Sequence, residues 1–175
     1  MPPPPPRSPA GLPLADFGTR LVAYIIDRVI LGAVVLVFAV PGIILILHNL
    51  PDPQVYAYDD SPNRMFREFF VPFLFLELGL ILGSLILYYL YAVEFMHRTG
   101  QTLGKKIMKI RIVPADPGAR LTRGMAAKRY LIEYVGGTFV PFFSYLDGLW
   151  QLWDKPYQQA LHDKVAGTVV VKVLA

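Results

Sequence analysis

Two long stretches of almost uninterrupted apolar residues dominate the chain. The first runs from about residue 21 to 47 and the second from about 69 to 96. A helix needs about 20 apolar residues to cross the ~30 Å hydrocarbon core of a bilayer, so both stretches are long enough. The pattern therefore predicts an all-α integral membrane protein with two long transmembrane helices.

A third hydrophobic segment, residues 130–153, is interrupted by two carboxylates, a glycine pair at 136–137 and Pro141. Glycine and proline break or kink helices, which leaves two interpretations. The segment is either one broken spanning helix or a re-entrant hairpin that turns near residues 136–141. We favour the hairpin, because it returns the lysines of the C-terminal tail, 154–175, to the cytoplasmic side.

Shorter patterns predict small elements on the cytoplasmic side. Residues 100–106 have glycines and lysines like a phosphate-binding loop, but their spacing and the preceding helix do not fit one. Thr102 is better placed to cap a short interfacial helix. Residues 109–113 alternate like a strand, residues 168–173 have similar β character, and we expect the two to pair.

Composition and charge set the topology. The chain has 54% hydrophobic and 17% charged residues, against about 25% charged in soluble proteins. Lysine and arginine accumulate between residues 97 and 129, and such residues mark the cytoplasmic side. We therefore expect a cytoplasmic N-terminus, an outer loop at 48–68 and a basic cytoplasmic segment at 97–129. No module for nucleic-acid binding accompanies the positive charge.

The proline-rich residues 1–15 predict a disordered tail, and residues 16–175 the membrane domain. The chain has no cysteine, and its histidines lack ligand spacing, so we expect no metal site, no cofactor and no enzymatic activity. Gly79 and Gly83 form a small-xxx-small motif that lets helices pack closely. With so few helices, we expect a homo-oligomer or a larger complex in the lipid bilayer.

Asp27 is the most informative residue, because a charge inside a spanning helix is costly and usually has a partner. Arg20 lies on nearly the same helix face, about 10 Å away along the axis. That spacing is too long for a direct ion pair within one helix. Glu94, near the cytoplasmic end of the second helix, is a plausible partner for Arg20 or Arg28.

The chain resembles the RDD family of small bacterial membrane proteins, named for one arginine and two aspartates. The resemblance is carried by residues 18–27, 99–113, 121–124, 153–155 and 159–171. It implies that Arg20 and Asp27 are the first two family residues and that Asp163 is the third, with Asp147 and Asp154 as competitors. The stretch 145–157 and the proline-rich leader look like actinobacterial members.

The resemblance implies a plasma-membrane protein of unclear function. One hypothesis is transport of an ion or small ligand through a buried site formed by Arg20, Asp27 and Asp163. If the tail is cytoplasmic, Asp163 reaches Arg20 from below, and one arginine between two aspartates forms a fork at the membrane boundary. The alternative is a non-catalytic accessory or scaffold subunit that stabilises a larger membrane complex.

Overall fold

The computed structural model describes residues 6–50, 54 and 63–173, and these residues are mostly helical. The first part of the predicted tail and most of the predicted outer loop lie outside the described residues. The described part of the chain divides into two compact units. The apolar unit comprises residues 30–86, and the mixed unit comprises residues 1–29 and 87–175.

Both predicted membrane helices are present. Helix α1 is Phe17–His48. The second helical run begins with the short helix α2 (Asn63–Met65) and a π-helical turn, continues as α3 (Val71–Tyr89) and a second π-helical turn, and ends with α4 (Met96–Thr99). Both are long and apolar enough to cross a membrane. The two long apolar helices are therefore confirmed.

Within the apolar unit, helices α1 and α3 approach closely at Gly42. A Cβ atom added there would lie 2.6 Å from a terminal methyl of Leu76, so a larger residue would require the Leu76 side chain to move. The predicted packing glycines behave differently. Added Cβ atoms at Gly79 and Gly83 would meet no described atom within 4 Å. The close helix packing inside this unit thus occurs at Gly42 rather than at the predicted motif.

Two short strands form the sheet of the mixed unit. Strand β1 (Ile110–Pro114) pairs antiparallel with β2 (Thr168–Lys172), with Ile112 opposite Val170. The predicted strand pairing is therefore confirmed. Helix α5 (Leu103–Ile107) precedes β1 and is capped by Thr102, whose side chain accepts from a backbone N–H of the first turn. Ile110, Ile112 and Val170 are almost fully buried in the core of this unit.

A disordered tail was expected over residues 1–15, but the described part, residues 6–15, contacts the sheet. Leu14 forms an isolated antiparallel bridge with Val171, and the Ala15 N–H donates to the Val170 carbonyl at 3.0 Å. Leu14 and Ala15 are buried. The proline content of this segment favoured a prediction of disorder. Proline is nevertheless tolerated at the edge of a sheet, and that is where this segment contacts β2.

The third hydrophobic segment is broken, as predicted. Helix α6 (Arg123–Tyr130) leads into the segment. The segment continues as a π-helical turn (Leu131–Gly136) and α7 (Gly137–Phe139), and resumes as α8 (Phe143–Leu149). Phe142 has a φ of 62° at the break, and α8 packs back on the π-helical turn. The segment is thus a helical hairpin. Helix α9 (Leu161–Ala166) follows and leads directly into β2.

Candidate functional site

Asp27 is almost fully buried in the mixed unit, with 3% of its surface exposed. Its Oδ1 atom accepts hydrogen bonds from the Tyr91 hydroxyl at 2.5 Å and from the Gly104 backbone N–H at 2.7 Å. Its Oδ2 atom accepts from the Thr102 hydroxyl at 2.5 Å. The Lys105 Nζ atom lies 3.8 Å from Oδ2. The segment that contains α5 therefore supplies most of the partners that Asp27 needs.

The local sequence around α5 explains this arrangement. Thr102 ends the extended chain and starts the helix, so the first-turn N–H groups have no partner inside the helix. Gly104 donates one of them to Asp27. A Cβ atom at Gly104 would collide with the Ala23 carbonyl oxygen and lie 2.8 Å from the Asp27 Oδ1 atom. Only glycine allows α5 to approach α1 this closely.

Asp163 forms a second buried cluster and has 1% of its surface exposed. Its Oδ1 atom pairs with the Arg129 guanidinium, and the Arg20 Nη1 atom lies 3.6 Å from Oδ2. Arg129 also donates to the Thr168 hydroxyl at 2.6 Å, and the Ala160 N–H donates to Oδ2 at 3.2 Å. Burial favours the neutral acid, but Arg129, His162 and Arg20 together outweigh it and hold the pKa of Asp163 well below its usual range.

Arg20 joins distant parts of the chain. Its Nε atom donates to the Ala15 carbonyl at 3.0 Å, and its terminal nitrogens donate to the carbonyls of Gln158 at 2.7 Å and Val170 at 3.2 Å. Together with Asp163, these acceptors satisfy most of the guanidinium donors. Through these hydrogen bonds, Arg20 connects helix α1 with the N-terminal segment, the loop before α9 and strand β2.

His162 lies between carboxylates beside this cluster. Its Nδ1 atom is 2.6 Å from the Asp147 Oδ2 atom, and its backbone N–H donates to Oδ1 at 2.8 Å. Its Nε2 atom is 3.9 Å from Glu133 and 3.8 Å from Asp163. Burial and Arg129 disfavour a charged imidazole, but the three carboxylates outweigh both and raise the pKa of His162. These carboxylates therefore favour the imidazolium form relative to a free histidine.

Arg28 lies beside three tyrosine rings. Its guanidinium carbon is 4.8 Å from the ring centroids of Tyr24 and Tyr134 and 5.2 Å from that of Tyr88. Cation–π contacts of this kind contribute about 0.5–2 kcal/mol each, according to desolvation. The Arg28 Nε atom is buried and has no hydrogen-bond partner among the described residues.

A cavity of about 540 Å³ lies within the mixed unit, and of the residues just described Arg20, Arg28, His162 and Asp163 line it, whereas Asp27 does not. Its volume lies within the range of small-molecule sites, about 300–1,000 Å³. Charged and titratable side chains from several separate elements line it: Arg20, Arg28, Lys105, Arg129, Glu133, Asp147, His162 and Asp163. Apolar side chains complete the wall. The arrangement provides both signs of charge around a space large enough for a solute.

The structure brings Arg20 and Asp163 together, but the expected fork of one arginine between two aspartates is wrong. Asp27 is instead bound by the α5 segment. Spacing along α1 put Arg20 and Asp27 on one face, but it gave no information on which donors pack against each residue. The proposed partnership of Glu94 with Arg20 or Arg28 is also wrong, because Glu94 pairs with Arg123.

The two competing aspartates have other partners. Asp147 binds His162 and lines the cavity, so it belongs to the same site. Asp154 accepts from the Gln159 N–H at 3.0 Å and pairs with Lys164. Of the three aspartates considered for the end of the chain, Asp163 is the one in an ion pair with Arg20.

Sequence reasoning missed Arg129 as a site residue and treated it only as part of the basic segment. A signal was present, because Ala126, Arg129 and Tyr130 recur at helical spacing and all three are buried in α6. A basic residue on the apolar face of a helix predicts a buried partner. Tyr91, Thr102 and Gly104 gave no comparable signal as partners of Asp27.

Comparison with known proteins agrees with the resemblance described above. The model of the RDD family matches residues 14–167, and the chain belongs to this family. An uncharacterized protein of Rickettsia prowazekii (strain Madrid E) is 36% identical over 84 residues, which cover 47% of this chain and 42% of the relative. The match thus spans less than half of that curated relative. No solved structure matches the chain.

Proposed function

We propose that this RDD-family membrane protein binds an ion or small ligand in the charged cavity and transports it. The observation that supports the proposal most directly is the cavity itself. Its wall combines buried charges of both signs with His162, whose protonation state responds to the surrounding carboxylates. Ionisable groups inside membrane proteins commonly mark ion and substrate pathways.

We further propose a bacterial plasma-membrane location with a cytoplasmic N-terminus. The excess of lysine and arginine in residues 97–129 supports this orientation. The site then lies toward the cytoplasmic end of α1, since Arg20 and Asp27 are in its first half. A ligand would enter the cavity from the cytoplasmic boundary. A reporter fused to the C-terminus that is active only outside the cell would contradict this topology.

Flux measurements in reconstituted vesicles test the transport proposal. Glu133 is the residue to substitute, because it lines the cavity and its contact with His162, at 3.9 Å, is long for an ion pair. Flux is measured for sodium, potassium, protons, phosphate and acetate, and Glu133→Gln should abolish flux of the transported solute while the protein still assembles. Asp116→Asn, at an exposed carboxylate, is the matched control and should leave flux unchanged. Wild-type vesicles that show no flux above empty vesicles would overturn the proposal.

A second candidate function is a non-catalytic accessory subunit of a larger membrane complex. It is favoured by the way Asp27 and Asp163 are held, since hydrogen bonds within the chain occupy most of their acceptor positions. Such carboxylates are suited to fixing a structure. Co-purification from membranes with one stoichiometric partner, together with absent flux, would support this function over transport.

A further inference from the structure

Arg28 differs from the other basic residues that line the cavity. Arg20 and Arg129 both pair with Asp163, and Lys105 lies near Asp27. No salt bridge joins Arg28 to any residue in the part of the chain that the structure describes. Its neighbours are the faces of three tyrosine rings.

The hydrogen-bonding state of Arg28 points to an absent acceptor. A guanidinium has five N–H donors in its plane, whereas aromatic faces interact with its positive charge from above and below. The Arg28 side chain hydrogen-bonds to Tyr24, but its buried Nε atom has no hydrogen-bond partner among the residues that the structure describes. Buried donors without a partner are rare, and a bound ion or ligand is one recognised explanation.

Arg28 also has less direct charge compensation than the other basic residues of the wall. Arg20 and Arg129 pair with Asp163, and Lys105 lies 3.8 Å from Asp27. Glu133 also interacts electrostatically with Arg28, but from beyond ion-pair distance. A negative group bound beside Arg28 would pair with the unused donor of the guanidinium and supply a direct counter-charge.

We propose that Arg28 binds an oxyanion, either a carboxylate or a phosphate group, inside the cavity. The inference rests on the proposed function, because it assigns a ligand class to the same cavity. The planar guanidinium fork matches the two oxygens of such a group. The apolar side chains of Phe17, Leu21 and Leu149 line the same space and would contact the carbon part of the ligand.

Direct binding to the purified full-length protein tests this proposal. The probes are radiolabelled inorganic phosphate and acetate in maltoside micelles, and phosphatidylglycerol retained in native mass spectra. Arg28→Gln should weaken binding by about 10- to 100-fold, the loss expected for a charge-assisted hydrogen-bonded pair. Arg28→Lys keeps the charge without the fork and should bind about tenfold more weakly than wild type. Arg120→Gln, at an exposed arginine, should bind like wild type.

The outcomes separate both the source of the ligand and the two proposals. Binding of phosphate or acetate identifies a free oxyanion, and binding of phosphatidylglycerol alone identifies a lipid headgroup. Wild type that binds none of the probes overturns the inference, and so does Arg28→Lys or folded Arg28→Gln with unchanged affinity. Binding without flux would support the oxyanion site and contradict transport. Flux without binding would support transport and contradict the oxyanion site.

Discussion

Replacement of Asp27 by alanine should destabilise the protein strongly, because Asp27 joins α1 to the α5 segment. Its carboxylate accepts three hydrogen bonds, and two of the donors, Thr102 and Gly104, are buried. Alanine leaves the donors of Tyr91, Thr102 and Gly104 unpaired and opens space between the two segments. The perturbation therefore acts on the fold before it acts on any ligand.

The magnitude follows from the three hydrogen bonds. Each bond to a charged acceptor contributes about 1.5–3 kcal/mol, and breaking a buried charged network costs about 3–5 kcal/mol in total. Asp27→Ala should accordingly lose about 4 kcal/mol, a large part of the 5–15 kcal/mol typical of a folded protein. Asp27→Asn keeps an acceptor for Tyr91 and Gly104 and should lose about 1–2 kcal/mol.

Thermal unfolding in detergent, followed by tryptophan fluorescence, measures these losses. For a chain of this length, about 1 kcal/mol shifts Tm by roughly 2–4 °C, so Asp27→Ala should lower Tm by roughly 8–16 °C. A double-mutant cycle with Thr102→Val isolates one contact, and the two losses should be less than additive. Asp116→Ala is the exposed control and should stay within about 0.5 kcal/mol of wild type.

One result would refute the structural role of Asp27. If Asp27→Ala unfolds within a degree of wild type but loses flux in vesicles, the carboxylate acts on a ligand rather than on the fold. Additive losses in the cycle with Thr102→Val would also contradict a direct hydrogen bond between the two side chains.

Three further predictions concern the same chain. Gly104→Ala should cost about 2–4 kcal/mol in a denaturant titration, because its Cβ atom would collide with the Ala23 carbonyl, whereas Gly148→Ala meets no atom within 4 Å and should fold normally. The pKa of His162 is raised, so thermal stability should fall as pH rises from about 6.5 through the folded-state pKa, and His162→Gln should flatten that part of the profile. Gly79→Ala should leave the fold of the monomer intact, because the added Cβ atom meets no described atom within 4 Å. If the Gly79 face of α3 packs against a second copy, crosslinking should show weaker self-association. Unchanged crosslinking would exclude the Gly79 face as a dimer contact.

The fold was predictable from sequence where local pattern decides the structure. The length of the apolar runs predicted α1 and the second helical run. Alternation predicted β1, and the β-branched residues at 168–173 predicted β2. The N-terminal segment was predicted poorly. Its prolines indicated disorder, but the Leu14 backbone pairs with Val171, a contact that depends on tertiary structure.

The partners in the site were less predictable than its residues. An aspartate in an apolar helix predicts that hydrogen-bond donors lie nearby, but helical periodicity does not identify the segment that supplies them. Asp27 is bound through a threonine hydroxyl, a tyrosine hydroxyl and a backbone N–H. The charges that stand out in the sequence were expected to pair with one another, yet neutral donors provide most of the contacts.

The two aspartates and the cavity charges therefore have different physical roles. Asp27 and Asp163 are held by several donors each, so their replacement should affect folding first. Glu133 and Arg28 line the cavity with fewer polar contacts, so exchange of a counter-charge costs least there. If the protein transports a solute, the variants with lost flux and retained stability should accordingly lie at Glu133 and Arg28 rather than at the aspartates. Arg20, Asp27 and Asp163 would then stabilise the structure of the site, and Glu133 and Arg28 would bind and release the solute.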